Sequence, residues 1–427
     1  MTHLRRAITI GVVLAACVGL AASARSTLPQ APTPAQADQS PGRKEVRGLW
    51  VIRSTLTSPA RIDELVRTAV GAGYNTLLVQ VRGRGDAYYQ SALEPRAAEL
   101  SGQPATFDPL ALTIERAHAA GLTVHAWFNV NLVAGAATPP RDKAHIAVRE
   151  PGWLMVPRQM AGTLSRVRPT SPAYLTQLTR WTRDRSDSVE GLFLSPIPEA
   201  SQQYTLSVVR DLMARYALDG LHLDYIRYPT NDFDYSAAAL DAFRAQHAVL
   251  ASAADRARLD AMLKRDPLAW TSFYPQQFEN FRRERLNLLV ERIRGVVRGT
   301  RPDAVLSAAV VPVADDARRL KLQDWSLWAR TGLIDVVCPM AYATTVEGFT
   351  QQMTETKAGA FGRPVWAGIG AWRLSVAHTA EHIRAARRSD AAGVLMFSYD
   401  GLMAATAPRG RYLTQLRPAL VEGGDRP

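Results

Sequence analysis

Apolar residues along this chain fall into short runs, set apart by longer stretches in which they recur with helical spacing. Glu45–Arg53, Tyr74–Gly83, Thr123–Val130, the front half of Asp219–Pro229, Ala304–Val313, Ile334–Tyr342, Pro364–Trp372 and Ala392–Asp400 read as strands. Between them, helices are predicted near Ala60–Ala72, Pro109–Ala120, Ala173–Asp187, Ser201–Ala217 and Pro275–Arg298. Asp108 is placed to cap the second of these and Gly121 to stop it. Strands that alternate with helices imply βαβ units and a parallel sheet. Eight such units predict an α/β fold, a (β/α)8 TIM barrel, which is on the order of 250 residues and upward. An open doubly wound sheet would want a Gly-rich turn after its first strand, and Ile52-Arg53-Ser54-Thr55 is not one. Two additions are expected: a long polar, Pro-rich loop from Asn131 to Pro172 after strand 3, and a helical insertion from Ser236 to Arg265 after strand 4. The short apolar piece Gly191–Leu194 lies between two of the helices.

The fourth strand, D-G-L-H-L-D-Y-I-R-Y-P, carries the most chemical information. Successive strand side chains point to opposite faces, so Leu221 and Leu223 pack outward while His222 and Asp224 point inward. A carboxylate on the inner face of an apolar strand is costly unless it is paired or sits at an open end. Asp224 stands where the apolar pattern stops, at the end where barrel enzymes keep their chemistry. The structural alternative is an Asp224–Arg227 pair that only holds the fold together.

Other strand ends are equally polar or aromatic. Gln80-Val81-Arg82-Gly83-Arg84-Gly85-Asp86 closes the second, and His125, Trp127 and Asn129 alternate along the third. Tyr342 closes the sixth with Glu347 beyond it, Trp366 and Trp372 flank the seventh, and Asp400 closes the eighth. Carboxylates among tryptophans and tyrosines suggest a carbohydrate site, and glycoside hydrolysis needs two carboxyl groups. Asp224 is the candidate nucleophile or base; Asp400, Asp86 and Glu347 are the candidate partners. Arg82, His125, Trp127, Asn129, His222, Tyr225, Arg227, Tyr342, Trp366 and Trp372 are the candidate sugar contacts. Singly, His125 reads as a core histidine and the tryptophans as packing; their convergence at strand ends is what favours a site. His125, His222 and Asp224 show no H-x-x-E-H or H-x-H spacing, so neither metal nor other cofactor is expected. No G-x-S-x-G occurs to supply a serine nucleophile.

Bulk properties narrow the partners. The chain has 427 residues, 47% hydrophobic and 21% charged, with a net charge of +12. Lysine occurs only at 44, 143, 264, 321 and 357, so the positive charge is almost all arginine, scattered without a dense basic run. Nucleic acid is therefore not implied. Arg5 and Arg6 precede the apolar stretch Ile8–Ala22, which reads as an export signal. Cleavage after Ala22-Ser23-Ala24 would remove residues 1–24. Leu14-Ala15-Ala16-Cys17 instead reads as a lipoprotein signal, residues 1–16, which would leave Cys17 acylated and provide the only membrane contact. Residues 25–44 form a Pro-rich linker, and the barrel is expected over residues 45–420. Cys338 alone remains in the folded part, which excludes an internal disulfide framework and a cysteine metal site.

Glu45-Val46-Arg47-Gly48-Leu49-Trp50, Gln80-Val81-Arg82 with Gly85-Asp86-Ala87, Phe107-Asp108-Pro109-Leu110, Val124-His125-Ala126-Trp127-Phe128-Asn129 and Asp219–Pro229 occur in this order. Together they resemble the successive motifs of the bacterial glycosyl hydrolase-like 10 family. The resemblance implies a (β/α)8 barrel, export to the cell envelope and hydrolysis of glycan chains, with one branch acting on peptidoglycan strands that lack stem peptides. Two departures stand out. Members often carry two adjacent acids where this chain has Asp224-Tyr225. The segment also resembles the chitinase motif D-G-x-D-x-D-x-E, with Ile226 in place of the proton donor, so the acid must come from another strand. A non-catalytic glycan-binding envelope protein on a degenerate barrel is the alternative function.

Overall fold

The computed structural model describes residues 44–137, 140–405 and 410–422. Both signal-cleavage alternatives, Cys17 and the linker up to residue 43 lie outside the described residues.

Ten strands form among the described residues: β1 (Val46–Val51), β2 (Thr76–Arg82), β3 (Thr123–Asn129), β4 (Leu132–Gly135), β5 (Gly191–Phe193), β6 (Gly220–Asp224), β7 (Val305–Val310), β8 (Val336–Ala341), β9 (Trp366–Ile369) and β10 (Gly393–Met396). Eight of them close a parallel barrel in the order β1-β10-β9-β8-β7-β6-β3-β2. That is the expected (β/α)8 barrel, with β6 as its fourth strand. Helices connect consecutive strands of the barrel. Asp108 accepts from Ala111 N at 3.0 Å at the start of the helix Pro109–Ala119, and Gly121 takes φ +77° just past its end.

Side-chain alternation splits each strand between two cores. Leu221 and Leu223 of β6 join the outer core between sheet and helices. The inner face is lined by Trp50, Leu78, Trp127, Val336, Cys338, Trp366 and Leu395. The barrel interior is thus filled with side chains rather than hollow. Gly368 makes room for this: a Cβ there would lie 2.4 Å from Pro339 O and 2.8 Å from the Trp50 ring.

The two expected additions are folded units. The Pro-rich stretch is not a bare loop. Its β4 pairs antiparallel with β5, and Val133, Ile146, Leu154, Val156, Leu164, Tyr174, Leu178, Leu192 and Leu194 build a small core beneath them. After β6, the helices Ala237–His247, Ala253–Leu263 and Ala269–Phe273 pack on the long helix Pro275–Thr300 through Phe243, Leu259, Trp270, Phe278 and Phe281. Backbone bonds from Leu194 N to Asn131 O (2.7 Å) and from Asn131 N to Tyr225 O (3.3 Å) seat the β4–β5 ribbon over the ends of β3 and β6.

Candidate active site

Asp224 is the last residue of β6 and is 9% exposed. Its Oδ1 accepts from Tyr225 N at 2.7 Å and its Oδ2 from Trp127 Nε1 at 3.0 Å. Burial pushes its carboxyl above the ordinary carboxylate range; these donors and the Arg227 guanidinium hold it back only in part. Asn129 shares the Trp127 Nε1 proton at 2.9 Å and donates to Gly83 O at 2.9 Å. Asp224, Trp127 and Asn129 therefore form one fixed unit at the barrel's open end.

The chain turns sharply here. Tyr225 takes φ +49°, a left-handed conformation that an aromatic residue adopts at a cost of about 1–3 kcal/mol. The turn sets the Tyr225 ring under the Arg227 guanidinium at 4.7 Å. Arg227 Nη2 donates to Glu190 Oε1 at 2.6 Å. Glu190 immediately precedes β5, so the ribbon carries this carboxylate over the barrel. Burial alone would raise Glu190, but the charge and hydrogen bond of Arg227 outweigh it and hold the carboxyl below its ordinary value. Glu190 Oε2 is enclosed and has no hydrogen-bond partner among the described residues. Glu190 is near enough to Asp224 for its charge to raise that group further.

Aromatic rings close the opposite side. Tyr342 lies 5.0 Å from Trp372 and 5.8 Å from Phe397, both edge-on or tilted, and Trp372 is 45% exposed. Burial and then the Asp224 charge raise the Tyr342 hydroxyl well above its ordinary value. Asp86 is half-buried past the end of β2, accepts from Arg84 N at 2.9 Å, and is raised mainly by burial.

Several expected site residues lie elsewhere. The inner face is deep enough for stacked layers, and only the last reaches the open end. Trp366 begins β9 and meets His125 at 5.5 Å near the closed end. His222 is fully enclosed in the middle layer, where Nε2 accepts from Trp50 Nε1 at 3.0 Å and Nδ1 lies 2.9 Å from Ser307 Oγ. Burial lowers His125 to about 4 and His222 to about 3, so both rings are neutral packing groups. Arg82 is sealed. A register shift between Gln80 and Arg82 turns it toward Glu94 (2.7 Å), the carbonyls of Asn129 and Val130, and the Phe128 ring. These four are structural residues rather than sugar contacts.

Two carboxylate candidates also move. Asp400 stands in the first turn of the helix Tyr399–Ala404, not at a strand end, because β10 stops at Met396. It accepts from Ile52 N at 2.8 Å, Ser54 Oγ at 3.1 Å and Thr55 Oγ1, which ties it to the segment after β1. Glu347 is exposed on the helix Val346–Gly359. The structure thus brings Asp224, Trp127, Asn129, Tyr225, Arg227, Tyr342 and Trp372 to the mouth, with Asp86 beside them. Glu190 and Phe397 complete the site and were not expected. The one sequence signal for Glu190 was its position ahead of the apolar run Gly191–Leu194. No cluster of three or more His, Cys, Asp or Glu suited to a metal occurs among the described residues.

Comparison with known proteins agrees with the fold. The model of the glycosyl hydrolase-like 10 family matches residues 45–361. A glycosyl hydrolase from Escherichia coli strain K12, DigH, is 24% identical over 392 residues, spanning 80% of this chain and 76% of that protein. YngK from Bacillus subtilis strain 168, also named a glycosyl hydrolase, is 27% identical over 162 residues, 37% of this chain and 26% of its own. Among solved structures, the PgaB (BpsB) glycoside hydrolase domain from Bordetella bronchiseptica shares the fold, with TM-score 0.57, 17% identity, and 87% and 99% of the two chains covered. The β-amylase catalytic domain from Paenibacillus polymyxa superposes with TM-score 0.53 at 11% identity, over 90% of this chain and 100% of that one.

Proposed function

The chain belongs to the glycosyl hydrolase-like 10 family and is a glycoside hydrolase, and from that premise we propose that it is exported and cleaves a cell-envelope polysaccharide, namely peptidoglycan glycan strands freed of their peptides. The observation that carries the mechanism is a pair of carboxyl groups at the barrel mouth whose surroundings push their ionisation apart. Asp224 is raised by burial and Glu190 is lowered by Arg227. Groups separated in this way divide into acid and ionised partner.

Asp224 is the proton donor. Its proton passes to the glycosidic oxygen as the bond from that oxygen to the anomeric carbon breaks, and the leaving sugar departs as an alcohol. Glu190, ionised by its pair with Arg227 (2.6 Å), faces the positive charge that develops at the anomeric carbon; a water adds there and gives its spare proton to Glu190, and proton exchange with solvent restores Asp224 to its acid form. This reading differs from the nucleophile or base role expected for Asp224 from sequence, and it rests on the opposite directions in which burial and Arg227 push the two carboxyl groups. Trp372, Tyr342 and Tyr225 offer ring faces for sugar stacking. The stretch Arg5–Ala24 supports export, with acylation at Cys17 as the route to a lipid anchor.

The test is to incubate purified protein with amidase-stripped peptidoglycan strands and resolve soluble fragments by mass spectrometry. Asp224→Asn is expected to lower turnover about 10²–10⁴-fold, and Glu190→Gln to lower it strongly as well. Undiminished cleavage by Asp224→Asn would remove Asp224 from the chemistry. Binding to strands without products would favour a carbohydrate-binding protein on the same barrel.

A further inference from the structure

Beside the carboxyl pair, where β1 and β2 end, two guanidinium groups form no ion pair among the described residues, although the Asp86 charge reaches both. Arg53 donates through Nη1 to Gln80 Oε1 at 3.0 Å, and its Nε is enclosed with no partner. Arg84 is half-buried, and its side chain makes no hydrogen bond or ion pair with any described residue. Both lie against glycine backbone: a Cβ on Gly83 would fall 2.8 Å from Arg53 Nη1, and one on Gly135 would fall 2.3 Å from Arg84 Nη1. Other shielded arginines are satisfied either by backbone carbonyls, as Arg282 is by those of Phe278, Asn231 and Phe233, or by a carboxylate. Arg82 pairs with Glu94, Arg227 with Glu190, Arg283 with Glu279 and Arg387 with Glu45. Asp86, the carboxylate beside the two, gives one oxygen to Arg84 N and forms no ion pair with either guanidinium.

Keeping two like charges together and half out of water is unfavourable unless something neutralises them. Burial and the neighbouring Arg53 charge press against the charged form of Arg84 and outweigh the support it draws from Tyr225, Asp86 and Glu99. The pair belongs to the reaction site by connection. Gly83, against which Arg53 lies, accepts from Asn129, and Asn129 shares its Trp127 donor with Asp224. Arginine forks match the two oxygens of a carboxylate.

We propose that Arg53 and Arg84 form a carboxylate subsite that selects a sugar bearing a free ether-linked lactyl group, and so makes the enzyme specific for an acidic glycan. The subsite rests on the hydrolase function proposed for this mouth and adds to it the feature of the substrate that is recognised. A lactyl group still amide-linked to peptide presents no carboxylate, so the same two arginines exclude peptide-bearing strands.

Peptide-free strands in native form are compared with strands whose carboxylates have been coupled to methylamine. The wild-type enzyme is expected to lose about 10- to 100-fold in kcat/KM on the amidated strands, mainly through KM. Arg84→Gln is expected to lose a similar factor on native strands and to be indifferent to amidation, with Arg53→Gln moving the same way. Equal cleavage of both forms by the wild-type enzyme overturns the subsite while leaving the hydrolase function standing. An Arg84→Gln enzyme that keeps the wild-type preference also overturns it. Cleavage of neither form removes the hydrolase function and the subsite together.

Discussion

Replacing Trp127 by Phe tests the division of roles between the carboxyl groups. Trp127 Nε1 lies 3.0 Å from Asp224 Oδ2 and 2.9 Å from Asn129 Oδ1, so one proton is shared between two acceptors. A hydrogen bond to a charged group contributes about 1.5–3 kcal/mol. With about half of that on Asp224, the variant destabilises the ionised carboxylate by roughly 0.7–1.5 kcal/mol. At about 1.4 kcal/mol per pH unit, the Asp224 ionisation moves up by about half to one pH unit. The direction separates the roles. A proton donor is active while protonated, so the falling alkaline limb of the kcat/KM profile moves to higher pH. A nucleophile or base is active while ionised, so the rising acid limb would move up instead. The assay is kcat/KM on peptide-free strands across roughly pH 4–9 for the wild-type and Trp127→Phe enzymes, where the limbs report the free enzyme's essential acid and base. Movement of the acid limb refutes Asp224 as donor. Two unmoved limbs refute its participation in the rate profile.

Glu94→Ala leaves Arg82 charged and enclosed, since the pair is fully buried at 2.7 Å; a loss of about 3–5 kcal/mol in unfolding free energy is expected from chemical denaturation, and a Glu94→Ala, Arg82→Met double variant should recover part of it. Asp400→Ala removes the acceptor for Ile52 N, Ser54 Oγ and Thr55 Oγ1 and should cost about 2–3 kcal/mol of stability while kcat stays within several-fold of wild type; a collapse of kcat with stability intact would restore Asp400 as a catalytic residue. His125 and His222 are held at about 4 and 3, below an unfolded value of about 6.5. Because the folded values are depressed, the unfolded chain binds more protons below about pH 6.5, so stability falls as pH drops toward those values, by up to about 1.4 kcal/mol per pH unit for each ring. His125→Leu should flatten that slope between about pH 6 and pH 4 in denaturation curves; an unchanged slope would contradict the neutral, buried state. Trp372→Ala, at a 45% exposed ring against Tyr342 and Phe397, should raise KM about 10-fold through lost ring contact and leave the melting temperature close to wild type.

The alternation of leucines against His222 and Asp224 was enough to orient β6, and the repeated strand-helix order was enough to predict the barrel. Both depend on local periodicity, which each segment carries by itself. Boundaries were less legible where capping chemistry competes with apolar content. Ser398 accepts from Gly401 N and opens a helix inside what reads as strand, which turned Asp400 from a strand-end carboxylate into a structural acceptor. The Pro-rich segment after β3 hid an antiparallel strand because β4 and β5 are more than fifty residues apart and each is too short to declare its partner.

The amino-acid sequence by itself determined the fold, the family motifs and the position of Asp224 at the end of an inward-facing strand. Each follows from the order and spacing of residues within short segments. Tertiary structure alone decided which inward-facing residues reach the open end. Periodicity assigns a face but not a depth, and His125, His222 and Trp366 share that face with Trp127 and Asp224 while lying in lower layers. It also decided the second carboxylate. Glu190 reaches the mouth only because the β4–β5 ribbon folds back over β3 and β6 and Arg227 holds it there, a contact across 37 residues. The roles proposed for the two acids rest on burial and charge at that meeting point, which exist only once distant segments share one place.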